Sequence, residues 1–78
     1  MAARYFFDII TDGKLLPDKE GIVLLNIDAA RRKASRALAD LARASVLSER
    51  LPKITVSVRT SEGPVFETTL EWSLYTTH

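Results

Sequence analysis

Asn26 to Ser45, NIDAARRKASRALADLARAS, decides the fold. Ile27, Ala30, Ala34, Ala37, Leu38, Leu41 and Ser45 recur at steps of three and four, the spacing of one face of an α-helix. No Gly or Pro interrupts the run, and alanine, its commonest residue, has the best intrinsic helix propensity. Asn26 is the preferred N-cap, because its side chain can accept from an exposed amide two or three residues on. Asp28 then sits in the first turn, where the helix dipole favours a carboxylate. An alanine-rich face lets the helix axis lie close to a sheet, so the sheet must supply the bulk.

The opposite face carries Arg32, Arg36 and Arg43. Asp28 precedes Arg32 by four, Asp40 follows Arg36 by four, and Arg43 follows Asp40 by three. The expected arrangement is a solvated ladder of opposite charges, each pair contributing roughly 0.2–0.5 kcal/mol. A phosphate-binding surface made by Arg32, Arg36 and Arg43 is the competing reading. Charge distribution keeps it open. Residues 31–50 hold six bases and two acids, a local +4, in a chain of net charge +1.

Outward from the helix, both flanks read as strands. Arg4 to Ile10, RYFFDII, alternates with period two, and Asp8 on one set assigns Tyr5, Phe7 and Ile9 to the side facing the helix. Asp12-Gly13 is a hairpin turn signal. Lys14 to Leu16 begins the return strand, Pro17-Asp18-Lys19-Glu20-Gly21 interrupts it, and Ile22 to Leu25 is a short second strand that delivers the chain to the helix cap. After the helix, Val46 to Pro52 is a connector. Lys53 to Thr60 alternates with Ile54, Val56 and Val58 inward. Ser61 to Pro64 is a turn, and Val65 to Tyr75 is a longer strand with Phe66, Thr68, Leu70, Trp72 and Leu74 on one face. The tail Thr76 to His78 is expected to fray.

The predicted fold is therefore a two-layer α+β domain spanning residues 1–78. Its order is β-β-α-β-β: a four-stranded, mostly antiparallel sheet with one helix packed on one face. Tyr5, Phe7, Ile9, Val56, Val58, Leu70 and Trp72 are expected to bury against the alanines.

Composition narrows the function classes. The chain has 78 residues, a hydrophobic share of 46% and no cysteine, so neither disorder nor thiolate chemistry is indicated. No apolar run approaches the roughly 20 residues of a membrane span, and Met-Ala-Ala-Arg leads into an aromatic strand, not a signal-peptide core. Cytoplasmic residence is the expectation.

Several motifs combine into a resemblance. Arg4-Tyr5-Phe6-Phe7-Asp8-Ile9, Asp12-Gly13, Asp18-Lys19-Glu20-Gly21, and Ala30 and Ala34 of the helix resemble a family of small uncharacterised bacterial proteins. Its members open R-Y-aromatic-F-Asp/His, continue through a D-G turn and a D-x-x-G motif, and close with an alanine-rich helix and two strands. The resemblance covers nearly the whole chain. It implies no activity, and it supplies no catalytic residues to map. The order of elements is also similar in outline to small partial RNase H-like antitoxin domains.

No residue set predicts catalysis. Asp8, Asp12, Asp18 and Glu20 cluster near the first hairpin, where carboxylates could bind a divalent cation, but their spacing matches no calcium loop. His78 is the single histidine and the last residue, so no serine has a fixed base to activate it. Glycines at 13, 21 and 63 make no phosphate loop. The expectation is a protein that is not an enzyme and holds no cofactor or metal. One helix cannot cover both faces of a sheet. The outer face mixes Phe6 and Ile10 with Thr55, Ser57, Arg59, Thr69 and Tyr75, a composition suited to protein contact. Phe6, Ile10, Arg59 and Tyr75 are the candidate contact residues, with self-association as a homodimer the first expectation and nucleic-acid binding through Arg32, Arg36 and Arg43 the alternative.

Overall fold

A computed structural model describes residues 2–72. Strands β1 (Ala3–Thr11), β2 (Lys14–Leu16) and β3 (Ile22–Leu24) precede helix α1 (Ile27–Leu47), and β4 (Ile54–Thr60) and β5 (Gly63–Leu70) follow it. Every strand pairing is antiparallel, and the helix packs on one face of the sheet, which makes the chain an α+β fold.

The sheet runs β2-β1-β4-β5, with β3 also paired to β1. It has five strands where the sequence predicts four, because the return strand is split in two. Ile9 pairs with Leu16 and Tyr5 with Ile22. Three residues of β1 therefore face five residues of the returning chain, Pro17 to Gly21. Two surplus residues, and a proline with no N–H to donate, break the ladder into two short strands along one edge of β1.

The first turn behaves as its sequence suggests. Asp12 and Gly13 both have positive φ, 48° and 82°, and Thr11 pairs with Lys14 across them, the backbone signs of a type I′ hairpin. The Asp12 carboxylate also accepts the Lys53 amide at 3.0 Å, which ties the turn to the start of β4.

Helix α1 is capped as expected. Asn26 Oδ1 accepts the Ala29 amide at 2.9 Å, and Asp28 lies in the first turn. The helix runs two residues past Ser45 and ends where Glu49 takes φ 59°. Ala30 and Ala34 are fully buried and bring the axis close to the sheet, whose bulk comes from Tyr5, Phe7, Val56 and Val58. Ile9, Leu24, Ala37, Leu38 and Phe66 pack around that centre.

Several expectations about the last strand are corrected, including its start, which takes in Gly63 and Pro64 of the expected turn. β5 begins at Gly63 and ends at Leu70, short of the predicted end at Tyr75. Trp72 lies beyond it, half-buried, with its indole N–H donated to the Pro52 carbonyl at 2.7 Å. It anchors the connector after the helix and is not part of the alanine-facing core, since an indole N–H seeks an acceptor that this core lacks. Leu70 is likewise only half-buried, opposite Ile54 at the sheet's end. Tyr75 and His78 lie outside the described residues. β5 also carries a bulge: Val58 faces Phe66 while Arg59 faces Pro64, so Val65 is the extra residue.

Gly21 and Gly13 separate two kinds of glycine requirement. A Cβ on Gly21, at φ 67°, would lie 2.8 Å from the Tyr5 carbonyl oxygen and 2.9 Å from the Phe6 ring. A Cβ on Gly13 would meet nothing within 4 Å. Gly13→Ala should therefore lose only the glycine advantage in a left-handed conformation, about 1 kcal/mol, whereas Gly21→Ala adds a backbone clash and should lose about 2–4 kcal/mol. Urea unfolding of the two variants side by side checks the order; equal losses would contradict the contact described at Gly21.

Candidate functional site

The gap left by the split strand is filled by a side chain. The Phe7 amide points toward the broken edge, where no strand receives it. Asp18 Oδ2 accepts it at 3.1 Å. Asp18 Oδ1 accepts the amides of Glu20 and Gly21 at 3.1 and 3.0 Å, so one carboxylate both closes its own loop and completes β1. The Asp18 amide in turn donates to Asp8 Oδ1 at 2.9 Å. Arg4 donates to the Glu20 carbonyl at 2.8 Å from the outer end of the same loop.

Arg59 locks this loop to β4. Its Nε donates to Asp8 Oδ2 at 2.8 Å, and its second nitrogen donates to the Asp18 carbonyl at 2.9 Å. The guanidinium lies 4.5 Å from the centroid of the Phe6 ring, directly across from it in the ladder. The Val65 bulge sits beside this point.

The electrostatics follow from these bonds. Burial alone pushes the Asp8 carboxyl up, but the hydrogen bond and charge of Arg59 and the Asp18 amide outweigh it and hold the group below its usual range. Asp18 is held low chiefly by the Gly21 and Phe7 amides, against a smaller opposing effect of burial. Both are stable carboxylates with occupied oxygens, the opposite of an acid–base pair pushed apart in pKa. Asp12 and Glu20 do not join them: Asp12 holds the Lys53 amide at the hairpin turn, and the Glu20 side chain is exposed. No cluster of three metal-ligating side chains forms among the described residues.

The candidate contact residues divide accordingly. Phe6 and Arg59 contact each other, and Arg59 is bonded within the chain. Ile10 lies on the same outer face beside Leu15, which is exposed. Thr55 is buried on that face and shares a hydroxyl hydrogen bond with Thr69 at 2.9 Å.

The two flanks of α1 differ in chemistry. Toward β3, Arg32, Lys33 and Arg36 rise over Ile22, Leu24 and Ala37 and form a groove of about 390 Å³. Lys33 Nζ lies 5.7 Å from the Phe7 ring centroid. Arg43 is exposed further along the Arg32–Arg36 face. The expected ladder of Asp28–Arg32, Arg36–Asp40 and Asp40–Arg43 is not what forms. Asp28 pairs with Arg31 at 3.4 Å, and it is the one ion pair on the helix among the described residues. The reason is scale: exposed pairs contribute a few tenths of a kcal/mol, too little to pull arginines from other rotamers. Lys33 groups with Arg32 and Arg36 in sequence as well, but Ile22 and Leu24 were not legible as their partners, because the groove exists only once β3 folds beside the helix. On the other flank, Ser35, Ala39 and Ala42 follow one another at helical spacing, and the helix also contacts β5.

A family model described as "Domain of unknown function (DUF6894)" matches residues 4–71. The chain belongs to this family. The DUF6894 match runs from the arginine that holds the Glu20 carbonyl to the residue before Trp72, and so spans the helix and all of the sheet but its first residue, Ala3. No curated protein and no solved structure matches the chain. What the match adds is the extent of the unit; the family description names no activity.

Acid should expose the loop's dependence on its carboxylates. The folded-state pKa values of Asp8 and Asp18 lie below the ordinary value of 3.8. Their contribution to stability is present above that value and is lost as pH falls through it toward the folded-state values. Asp18→Asn should cost about 1–3 kcal/mol at neutral pH, because one amide side chain cannot accept at both oxygens. The same variant should flatten the acid limb of stability against pH in urea titrations. An acid limb as steep as that of the parent chain would remove Asp18 from this role.

Proposed function

We propose that this chain is a small non-enzymatic interaction domain that self-associates through β5 and the adjoining flank of α1. The observation that carries the reading is the pairing of a regular β5 edge with a helix flank of small side chains and no net charge. Among the described residues β5 pairs only with β4, and from Phe66 to Leu70 it is regular. By helical spacing Ser35, Ala39 and Ala42 fall on the flank of α1 away from the cationic groove, and the Asp28–Arg31 pair on the same flank is internally neutralised.

A two-fold axis between two β5 strands extends the sheet across both copies. Strands are spaced about 4.8 Å, and α1 lies chiefly over β4 and β5, so the two helix axes would run about 10 Å apart. That is a normal helix-packing distance for small side chains. Pairing centred on Thr68 sets Phe66 opposite the second copy's Leu70 and Glu67 opposite its Thr69, so no carboxylates face each other. The outer sheet face of Phe6, Ile10 and Arg59 is the weaker surface for this purpose, since two of those three side chains already contact each other.

Size-exclusion chromatography with light scattering is expected to show a dimer at high micromolar concentration. Ala39→Arg, which sets like charges across the axis, should return a monomer with unchanged far-ultraviolet circular dichroism. A parent chain that is monomeric under those conditions would sink the reading.

A further inference from the structure

We propose that the groove between α1 and β3 binds an extended segment of a partner protein in which acidic and aliphatic residues alternate. Three independent features converge on that occupant. First, Arg32, Lys33 and Arg36 line the groove, and none has a carboxylate within 4.0 Å among the described residues. Second, among the described residues β3 pairs only with β1, which leaves its other edge for an added strand. Third, the two faces beside that edge differ. The helix-side face presents cations above Ile22 and Leu24, while the outer face presents Val23 and, further along, Leu15, both more than half exposed.

A strand laid against β3 sends successive side chains to opposite faces. Carboxylates at alternate positions would point toward Arg32, Lys33 and Arg36. The intervening aliphatic side chains would cover Val23 and Leu15. An acidic–aliphatic alternation satisfies both faces at once.

The competing occupants fit less well. A second copy of this chain would bring one cationic groove against another. Single-stranded nucleic acid would find phosphate partners in Arg32 and Arg36 but no stacking platform, since the ring beneath Lys33, Phe7, is buried.

The test uses the full chain and a fluorescein-labelled peptide of alternating Glu and Val, read by fluorescence anisotropy. Binding is expected, with a loss of about tenfold in affinity for Arg32→Ala/Arg36→Ala and for a Gln-Val peptide. Val23→Asp should also weaken it, whereas Ala39→Arg, on the opposite flank, should leave it unchanged even where self-association is lost. Circular dichroism of each variant confirms the fold. Absence of binding, equal binding by the double arginine variant, or tighter binding of an oligothymidine probe that displaces the peptide would each overturn the proposal.

Discussion

One carboxylate standing in for a missing stretch of strand is the constraint on which the rest of the structure depends. β1 is the central strand that joins both halves of the chain, and a central strand needs partners on both edges. The returning chain is two residues too long to supply a continuous one. Asp18 resolves the mismatch by accepting the Phe7 amide that the broken ladder abandons. Without it a half-buried N–H would lose its partner, at a cost of about 1–3 kcal/mol, large for a domain of this size. Gly21 then has to pass against the Tyr5 carbonyl with positive φ, and Arg59 reaches across from β4 to hold both Asp8 and the loop backbone. The two edges of β1 are thereby coupled through side chains as well as through the sheet.

This changes how the acidic residues are to be understood. In a list of positions, Asp8, Asp12, Asp18 and Glu20 look like material for a cation or for acid–base chemistry. In space they separate. Asp8 and Asp18 are bound to amides and a guanidinium, Asp12 serves the hairpin turn, and the Glu20 side chain faces outward. The D-x-x-G pattern is a folding device: its aspartate accepts from the glycine amide three residues on, and its glycine fits where no Cβ can. Residues of that kind hold surfaces in place, and the two surfaces proposed for partners lie elsewhere, on the flanks of the helix.

Local features were readable from the chain, and long-range ones were not. The Asn26 cap, the Asp12-Gly13 turn, the inward set of Tyr5 and Phe7 and the alanine face all depend on neighbours a few residues away, where period and capping chemistry are reliable. The Phe7–Asp18 bond spans eleven residues and the Asp8–Arg59 pair fifty-one, and nothing in spacing announces either. The helix charge ladder failed for a different reason: each exposed pair is so weak that sequence spacing permits it without compelling it. Trp72 was misplaced because a large apolar residue in phase with a strand reads as core, while its indole N–H was decided by the distant Pro52 carbonyl.

The two proposed contacts are compatible because the flanks of α1 face opposite ways. Pairing two β5 strands places the neutral flanks inward and sends both cationic grooves to the outer ends of the extended sheet. Counting strands at about 4.8 Å, the two β3 edges would then lie about 34 Å apart, beyond the roughly 10 Å over which exposed charges act at moderate salt. The same positive charge that would oppose association through the β3 edge therefore leaves association through β5 undisturbed. An arrangement with the arginines on the β5 flank would have set self-association against charge. Under the two proposals, the placement of Arg32, Lys33 and Arg36 on the far flank would let one helix serve a like partner on one side and an acidic one on the other.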